Sequence, residues 1–97
     1  MITRIVRMRF RRKKIPQFLS IFRENCEAIR SFEGCLYLEL LQDEHDPRTY
    51  LTLSVWQTEN ALDTYRKSGL FTTTWKQTRK LFRKNAEAYS LTSYIKL

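Results

Sequence analysis

The chain has 97 residues, enough for one domain and too few for two, so we expect residues 1–97 to fold as a unit. Its 42% hydrophobic and 13% aromatic content excludes a disordered protein, and its net charge of +8 favours an anionic partner. No apolar run is long enough to span a membrane, and arginines stand where a signal peptide would be apolar. We therefore expect a cytoplasmic protein with no membrane partner.

The first third of the chain predicts a strand followed by a helix. Residues 2–10 largely alternate between apolar and polar side chains, which is typical of a half-buried strand. A charged connector, 11–14, leads to Pro16, which is tolerated in the first turn of a helix. That helix carries one apolar stripe and ends near Arg30, before Gly34 breaks the chain. The stripe consists of Phe18, Leu19, Phe22, Cys26 and Ile29.

Two strands, Cys35–Gln42 and Thr49–Trp56, are predicted next, joined by the polar hairpin 43–48. Both strands carry apolar residues on both sides, and such strands are usually covered on both faces. The alternation gives four sets: Leu36, Leu38 and Leu40; Cys35, Tyr37 and Leu41; Leu51, Leu53 and Val55; and Tyr50, Thr52, Ser54 and Trp56.

The second half predicts helices and a final strand. Thr58 can cap the first free backbone N–H groups of a new helix. This helical region runs from about residue 60 to 68, is interrupted at Gly69 and continues over about 71–85. Residues 89–97 alternate again and predict the last strand.

The resulting order, β-α-β-β-α-α-β, predicts an α+β fold of the ferredoxin-like type, with an antiparallel sheet and helices packed on one face. The other face of the sheet would then expose an apolar surface. A patch of that size usually marks a partner, and a self-complementary pairing of two sheets is the simplest cover. We therefore expect a homodimer.

Several short segments also point to a known family. They are Glu33-Gly34-Cys35, the acidic hairpin with Pro47, Val55-Trp56, Ala61-Leu62, and Ser68 with Phe71. In this order they resemble the antibiotic biosynthesis monooxygenase (ABM) type domain of the dimeric α/β-barrel superfamily, over nearly the whole chain. The resemblance implies that two subunits pair their sheets into a barrel. It also implies either of two activities, cofactor-free oxygenation of quinols or polyphenols or haem degradation. Other members of the family have no known activity.

The chain departs from this family's catalytic patterns at three positions. Val6 occupies the position of an asparagine in the haem-degrading branch, and Trp75 that of its haem-ligating histidine. Tyr65 lies at or near a position that is histidine in many quinol-oxidising relatives. The resemblance therefore implies no haem held through histidine and no cofactor. It leaves two alternatives: a cofactor-free monooxygenase, or a barrel that binds a small molecule without catalysis.

Five residues are candidates for binding a flat aromatic molecule, either neutral or anionic. Trp56 is large and rigid and lies at a strand exit, and Thr52 shares its strand face. Tyr65, Phe71 and Trp75 follow at helical spacing and could line the same pocket. The alternative for all of them is an ordinary core. Because the face of Trp56 is less apolar than the face of Leu51, Leu53 and Val55, we favour the pocket for Trp56.

Other chemical groups carry weaker signals. His45 is the only histidine and lies in a polar hairpin, so we expect a surface residue and no metal site. Cys26 is expected in the core, and Cys35 is expected to be the more accessible thiol. The basic clusters leave a nucleic-acid-binding module as the less favoured alternative, since no RNA-reading aromatic motif is present. No catalytic residue is identified.

Overall fold

The computed structural model describes all 97 residues as an α+β fold of the ferredoxin-like type. One antiparallel sheet has the strand order β2-β3-β1-β4, with three helices beside it. A turn of 3-10 helix, Arg12–Lys14, joins β1 to α1. None of the helices combines the length and the apolar character needed to cross a bilayer. The elements are β1 Ile2–Arg9, α1 Ile15–Arg30, β2 Cys35–Gln42, β3 Thr49–Trp56, α2 Glu59–Arg66, α3 Gly69–Arg79 and β4 Glu87–Leu91.

The core lies between the sheet and the helices in two clusters. The larger cluster is centred on stacked Phe10 and Phe18, whose ring centroids are 4.1 Å apart. The smaller cluster joins Cys35, Trp56 and Leu62 at the other end of the sheet. The remaining buried members of the larger cluster are Met8, Ile21, Tyr50 and Leu81.

Both short helices begin at a side-chain cap. The Thr58 hydroxyl accepts a hydrogen bond from the Ala61 backbone N–H at 3.0 Å, as the sequence predicts for α2. Ser68 caps α3 by accepting from the Phe71 N–H at 3.1 Å. The predicted interruption is present, but it lies at Lys67 and Ser68, because the Ser68 cap lets α3 begin at Gly69 itself.

Helix α3 ends at Arg79, about six residues earlier than predicted. The residues that follow pair with the end of β1 instead of continuing the helix. The Arg11 N–H donates to the Leu81 carbonyl at 3.0 Å, and Phe10 forms an isolated bridge with Phe82. The Arg11 guanidinium also donates to the carbonyl of Lys80, which takes up one of the groups that a helix end leaves unpaired.

Strand β4 is shorter than predicted and begins earlier, at Glu87. Its partner β1 offers register positions only from Arg7, opposite Glu87, to Thr3, opposite Leu91. Beyond Leu91 the alternating pattern has no strand to pair with, so the last residues stay exposed. They include Tyr94 at 96% exposure and Ile95 at 75%.

The two faces of the sheet differ from the sets that alternation predicts in β2. A bulge between Cys35 and Tyr37 shifts the register, so these two residues do not share a face. Leu38 and Leu40 face the helices, whereas Leu36 is exposed. The predicted set of Cys35, Tyr37 and Leu41 is therefore wrong.

In β3 the mixed face, and not the purely apolar one, lies under the helices. Thr52, Ser54 and Trp56 point toward α2 and α3, so the alternation turns Leu51, Leu53 and Val55 to the face without helices. This helix-free face also carries four large exposed side chains: Tyr37, Leu41, Tyr89 and Leu91, each 37–47% exposed.

The cysteines are reversed relative to the prediction. Cys35 is buried at 7% exposure, because the bulge turns it into the smaller cluster beside Trp56 and Leu62. Cys26 on α1 is only half-buried. Both are free thiols.

Candidate functional site

A cavity of about 320 Å³ lies between the sheet and the helices. Its floor comes from β1, β2, β3 and β4, and its roof comes from the three helices. Apolar side chains make up two thirds of the lining, which is typical of small-molecule pockets in proteins. The polar or charged members are Arg4, Thr52, Ser54, Arg66, Thr74 and Thr78.

All five residues that the sequence nominates line this cavity: Thr52, Trp56, Tyr65, Phe71 and Trp75. Four of them form a continuous row of aromatic rings. Trp56 stacks on Tyr65 with centroids 4.8 Å apart, Tyr65 meets Phe71 edge-on at 5.2 Å, and Phe71 lies parallel to Trp75 at 5.9 Å. Their role in binding a ligand stays a prediction.

Trp56 has both of the roles considered for it, as a core residue and as part of the pocket wall. Its side chain is fully buried and packs with Cys35 and Leu62, so it is a core residue. It also forms part of the cavity wall. Its indole N–H donates to the Ser54 hydroxyl at 3.0 Å, which satisfies the single polar group of the ring.

Tyr65 presents a neutral phenol at the aromatic wall. Burial raises its pKa to about 12, and the neighbouring Cys35 adds to the shift in the same direction. Burial also raises the pKa of the Cys35 thiol. Since Tyr65 stays protonated at neutral pH, its hydroxyl can donate a hydrogen bond to a ligand but cannot act as a base there.

Two arginines in the lining are missing from the sequence-based set. Arg4 projects from β1 on the same face as Val6 and Met8, and Arg66 lies in the last turn of α2. The signal for Arg4 was present, since it is the one cation in the apolar alternation of β1 that faces the helices. The signal for Arg66 was not, since nothing in the sequence places the end of α2 near β1.

The positions that depart from the family's haem-degrading pattern, Val6 and Trp75, both line the cavity. His45 is not part of the lining. It is exposed in the β2–β3 hairpin, where its backbone N–H donates to an Asp43 carboxylate oxygen at 2.7 Å. No group of three or more His, Cys, Asp or Glu side chains is arranged to hold a metal ion.

The fold and the cavity together define a ferredoxin-like α+β protein with an aromatic chamber large enough for a small molecule. A family model described as "Antibiotic biosynthesis monooxygenase" matches residues 1–77. The chain therefore belongs to the antibiotic biosynthesis monooxygenase family. No curated protein sequence matches it significantly.

Solved structures support the same fold. A crystal structure of an antibiotic biosynthesis monooxygenase has a TM-score of 0.91 and 22% identity, covering 98% of this chain and all of the other. A conserved protein from Methanosarcina mazei Go1 also reaches 0.91, at 20% identity, with coverages of 97% and 94%. A putative antibiotic biosynthesis monooxygenase from Nitrosomonas europaea reaches 0.89 at 16% identity, with coverages of 98% and 100%.

Proposed function

We propose that this protein is a cofactor-independent monooxygenase that oxidises a quinol or a polyphenol inside a homodimeric α/β barrel. The observation that carries the proposal is the aromatic row of Trp56, Tyr65, Phe71 and Trp75 along one cavity. A flat ring can stack on such a wall, and Thr52 and the neutral phenol of Tyr65 can hydrogen-bond to ring hydroxyls. The family assignment supports the same chemistry.

The reaction balances without a bound redox group. A ring quinol and O₂ give a hydroxyquinone and water: one oxygen atom enters the ring, and the other leaves as water. The substrate supplies all of the electrons, so the protein has only to bind it, orient it and keep bulk water from the reacting carbon. A cavity whose lining is mainly apolar is suited to binding the substrate and excluding water in this way.

The helix-free face supports the proposed homodimer. Leu51, Leu53 and Val55 lie at the centre of that face, and the exposed side chains of Tyr37, Leu41, Tyr89 and Leu91 extend it on both sides. A second copy that packs the same face against it would bury this surface and close the two sheets into one barrel.

The test is oxygen consumption with a panel of quinols and polyphenols, with fluorescence quenching measured in parallel. Thr74 lines the cavity from α3, whereas its neighbour Thr73 is exposed and does not. A Thr74→Phe variant fills part of the cavity and should lose turnover at least tenfold. The matched Thr73→Phe variant should keep it.

The two tryptophans of the chain report binding separately from turnover. Trp56→Phe and Trp75→Phe each leave one indole in the cavity wall, so saturable quenching can be assigned to a position. Quenching without oxygen consumption by any member of the panel would contradict the oxygenase and favour a barrel that binds without catalysis. If no member of the panel causes quenching or oxygen consumption, that result would contradict a small-molecule site in this cavity.

A further inference from the structure

The cavity contains two positive charges that the proposed reaction leaves unexplained. Arg4 and Arg66 both line it, one from β1 and the other from α2. The only ion pair in the chain joins Arg7 to Glu87 at 3.1 Å on the helix-free face. No carboxylate therefore neutralises either of the cavity arginines.

Arg4 is held with most of its donors free. A guanidinium carries five N–H groups, and the chain engages one of them, through a 2.8 Å hydrogen bond from Nη1 to the Ser90 hydroxyl. Arg4 also lies opposite Ser54 in the β1–β3 register, and Ser54 accepts from the Trp56 indole. Arg4 lines the same cavity as the aromatic row and Arg66, so its free donors are available to a ligand there.

The surroundings make this charge unfavourable until an anion joins it. Partial burial lowers the pKa of Arg4, and repulsion from Arg66 lowers it further. Arginine nevertheless stays charged in proteins, so Arg4 remains a half-buried cation without a carboxylate partner in a mainly apolar cavity. A negatively charged ligand group near both guanidiniums would offset the desolvation cost of Arg4 and the repulsion between the two arginines.

We propose that Arg4 and Arg66 recognise the anionic oxygen of the ligand, so that the protein binds flat aromatic anions, typified by an aromatic carboxylate, in preference to neutral analogues. The aromatic row holds the ring, and the planar guanidinium fork of Arg4 matches the two oxygens of a carboxylate. Arg66 is exposed, so it contributes from the mouth of the cavity. This inference rests on the proposed function only in requiring that the cavity accept a flat ring.

The experiment compares 2-naphthoate with 2-naphthamide, two bicyclic probes of nearly equal shape that differ in charge. Tryptophan quenching gives the dissociation constant of each at neutral pH. The wild type should bind naphthoate about tenfold more tightly, because a hydrogen bond to a charged group contributes more than a neutral one. Arg4→Gln, which keeps a donor for Ser90, should remove this preference and change naphthamide binding less than about threefold.

The matched controls separate local recognition from overall charge. Arg66→Gln and Lys67→Gln remove one positive charge from adjacent residues, of which only Arg66 lines the cavity. We expect Arg66→Gln to weaken naphthoate binding several-fold and Lys67→Gln to leave it unchanged. Arg66 is exposed, so its variant also serves if Arg4→Gln does not fold.

Three results would overturn the inference. Equal affinity of the wild type for both probes would remove the anion preference and leave the oxygenase proposal intact. Equal losses in Arg66→Gln and Lys67→Gln would show a general effect of charge. If neither probe binds, the inference and the proposed aromatic site fail together.

Discussion

At the scale of single residues, Trp56 matters most because one side chain serves both the core and the cavity. It is fully buried, stacks on Tyr65 and has its N–H satisfied by Ser54. We expect Trp56→Ala to lower the free energy of unfolding by about 3–5 kcal/mol, the usual cost of removing a large buried aromatic side chain.

Trp75 provides the matched control for this prediction. It lines the same cavity but is only half-buried, so Trp75→Ala should cost clearly less. Urea unfolding of both variants measures the difference. Equal losses would contradict the assignment of Trp56 to the core.

Gly34 is the other residue whose identity the backbone demands. It has a φ of 86°, in the left-handed region, and a side chain there would collide with the Cβ of Ala61 on α2. Gly34→Ala should therefore destabilise the protein by about 2–4 kcal/mol, from backbone strain and overpacking together.

The second glycine of the chain is a control for this effect. A Cβ at Gly69 meets no atom within 4 Å, and its φ is not positive. Gly69→Ala should leave stability unchanged or raise it by up to about 1 kcal/mol. Thermal melts of the two variants decide the matter, and a destabilised Gly69→Ala would show that the junction needs more freedom than its geometry indicates.

At the scale of elements, the junction between α2 and α3 holds the aromatic wall together. Ser68 accepts from the Phe71 N–H and donates to the Tyr65 carbonyl at 2.6 Å, so it links two residues of the row. Ser68→Ala should cost about 1 kcal/mol, as the loss of a helix cap usually does. It should also weaken naphthoate binding, because Tyr65 and Phe71 lose their common anchor.

An exposed position on α3 distinguishes capping from a general effect of alanine. Thr73→Ala should change stability by less than about 0.5 kcal/mol and leave binding intact. Calorimetric melting and probe titration of both variants measure the two effects. A Ser68→Ala variant with wild-type binding would contradict a positioning role for the cap.

At the scale of the whole molecule, the arrangement depends on what covers the helix-free face. Leu53 lies at its centre, with Ile5 and Glu39 as its neighbours on the adjacent strands. Leu53→Glu places a second carboxylate beside Glu39 in a surface that the proposed dimer buries. We expect this variant to sediment as a monomer of about 11.8 kDa while the wild type sediments as a dimer.

The control for this prediction is Thr73→Glu, which adds the same charge to the exposed side of α3. It should remain dimeric. A wild-type chain that is monomeric at micromolar concentration would contradict the barrel, and a dimeric Leu53→Glu variant would place the interface elsewhere.

Local pattern alone predicted much of this protein. The bounds of β2 and β3, the cap at Thr58 and the element order follow from alternation, helical spacing and capping chemistry, which act between residues close in the chain. The family's tryptophan segment could be identified for the same reason. It led to five residues that the fold gathers around one cavity.

The tertiary structure decided what depends on contacts distant in sequence. Pairing with β1 ended α3 at Arg79 and β4 at Leu91, although the side-chain patterns continue past both. A bulge in β2 buried Cys35, which alternation cannot reveal because it assumes an unbroken register. Arg4 and Arg66 share a cavity only because the chain folds β1 beneath the end of α2, so their joint charge is a property of the fold and not of any segment.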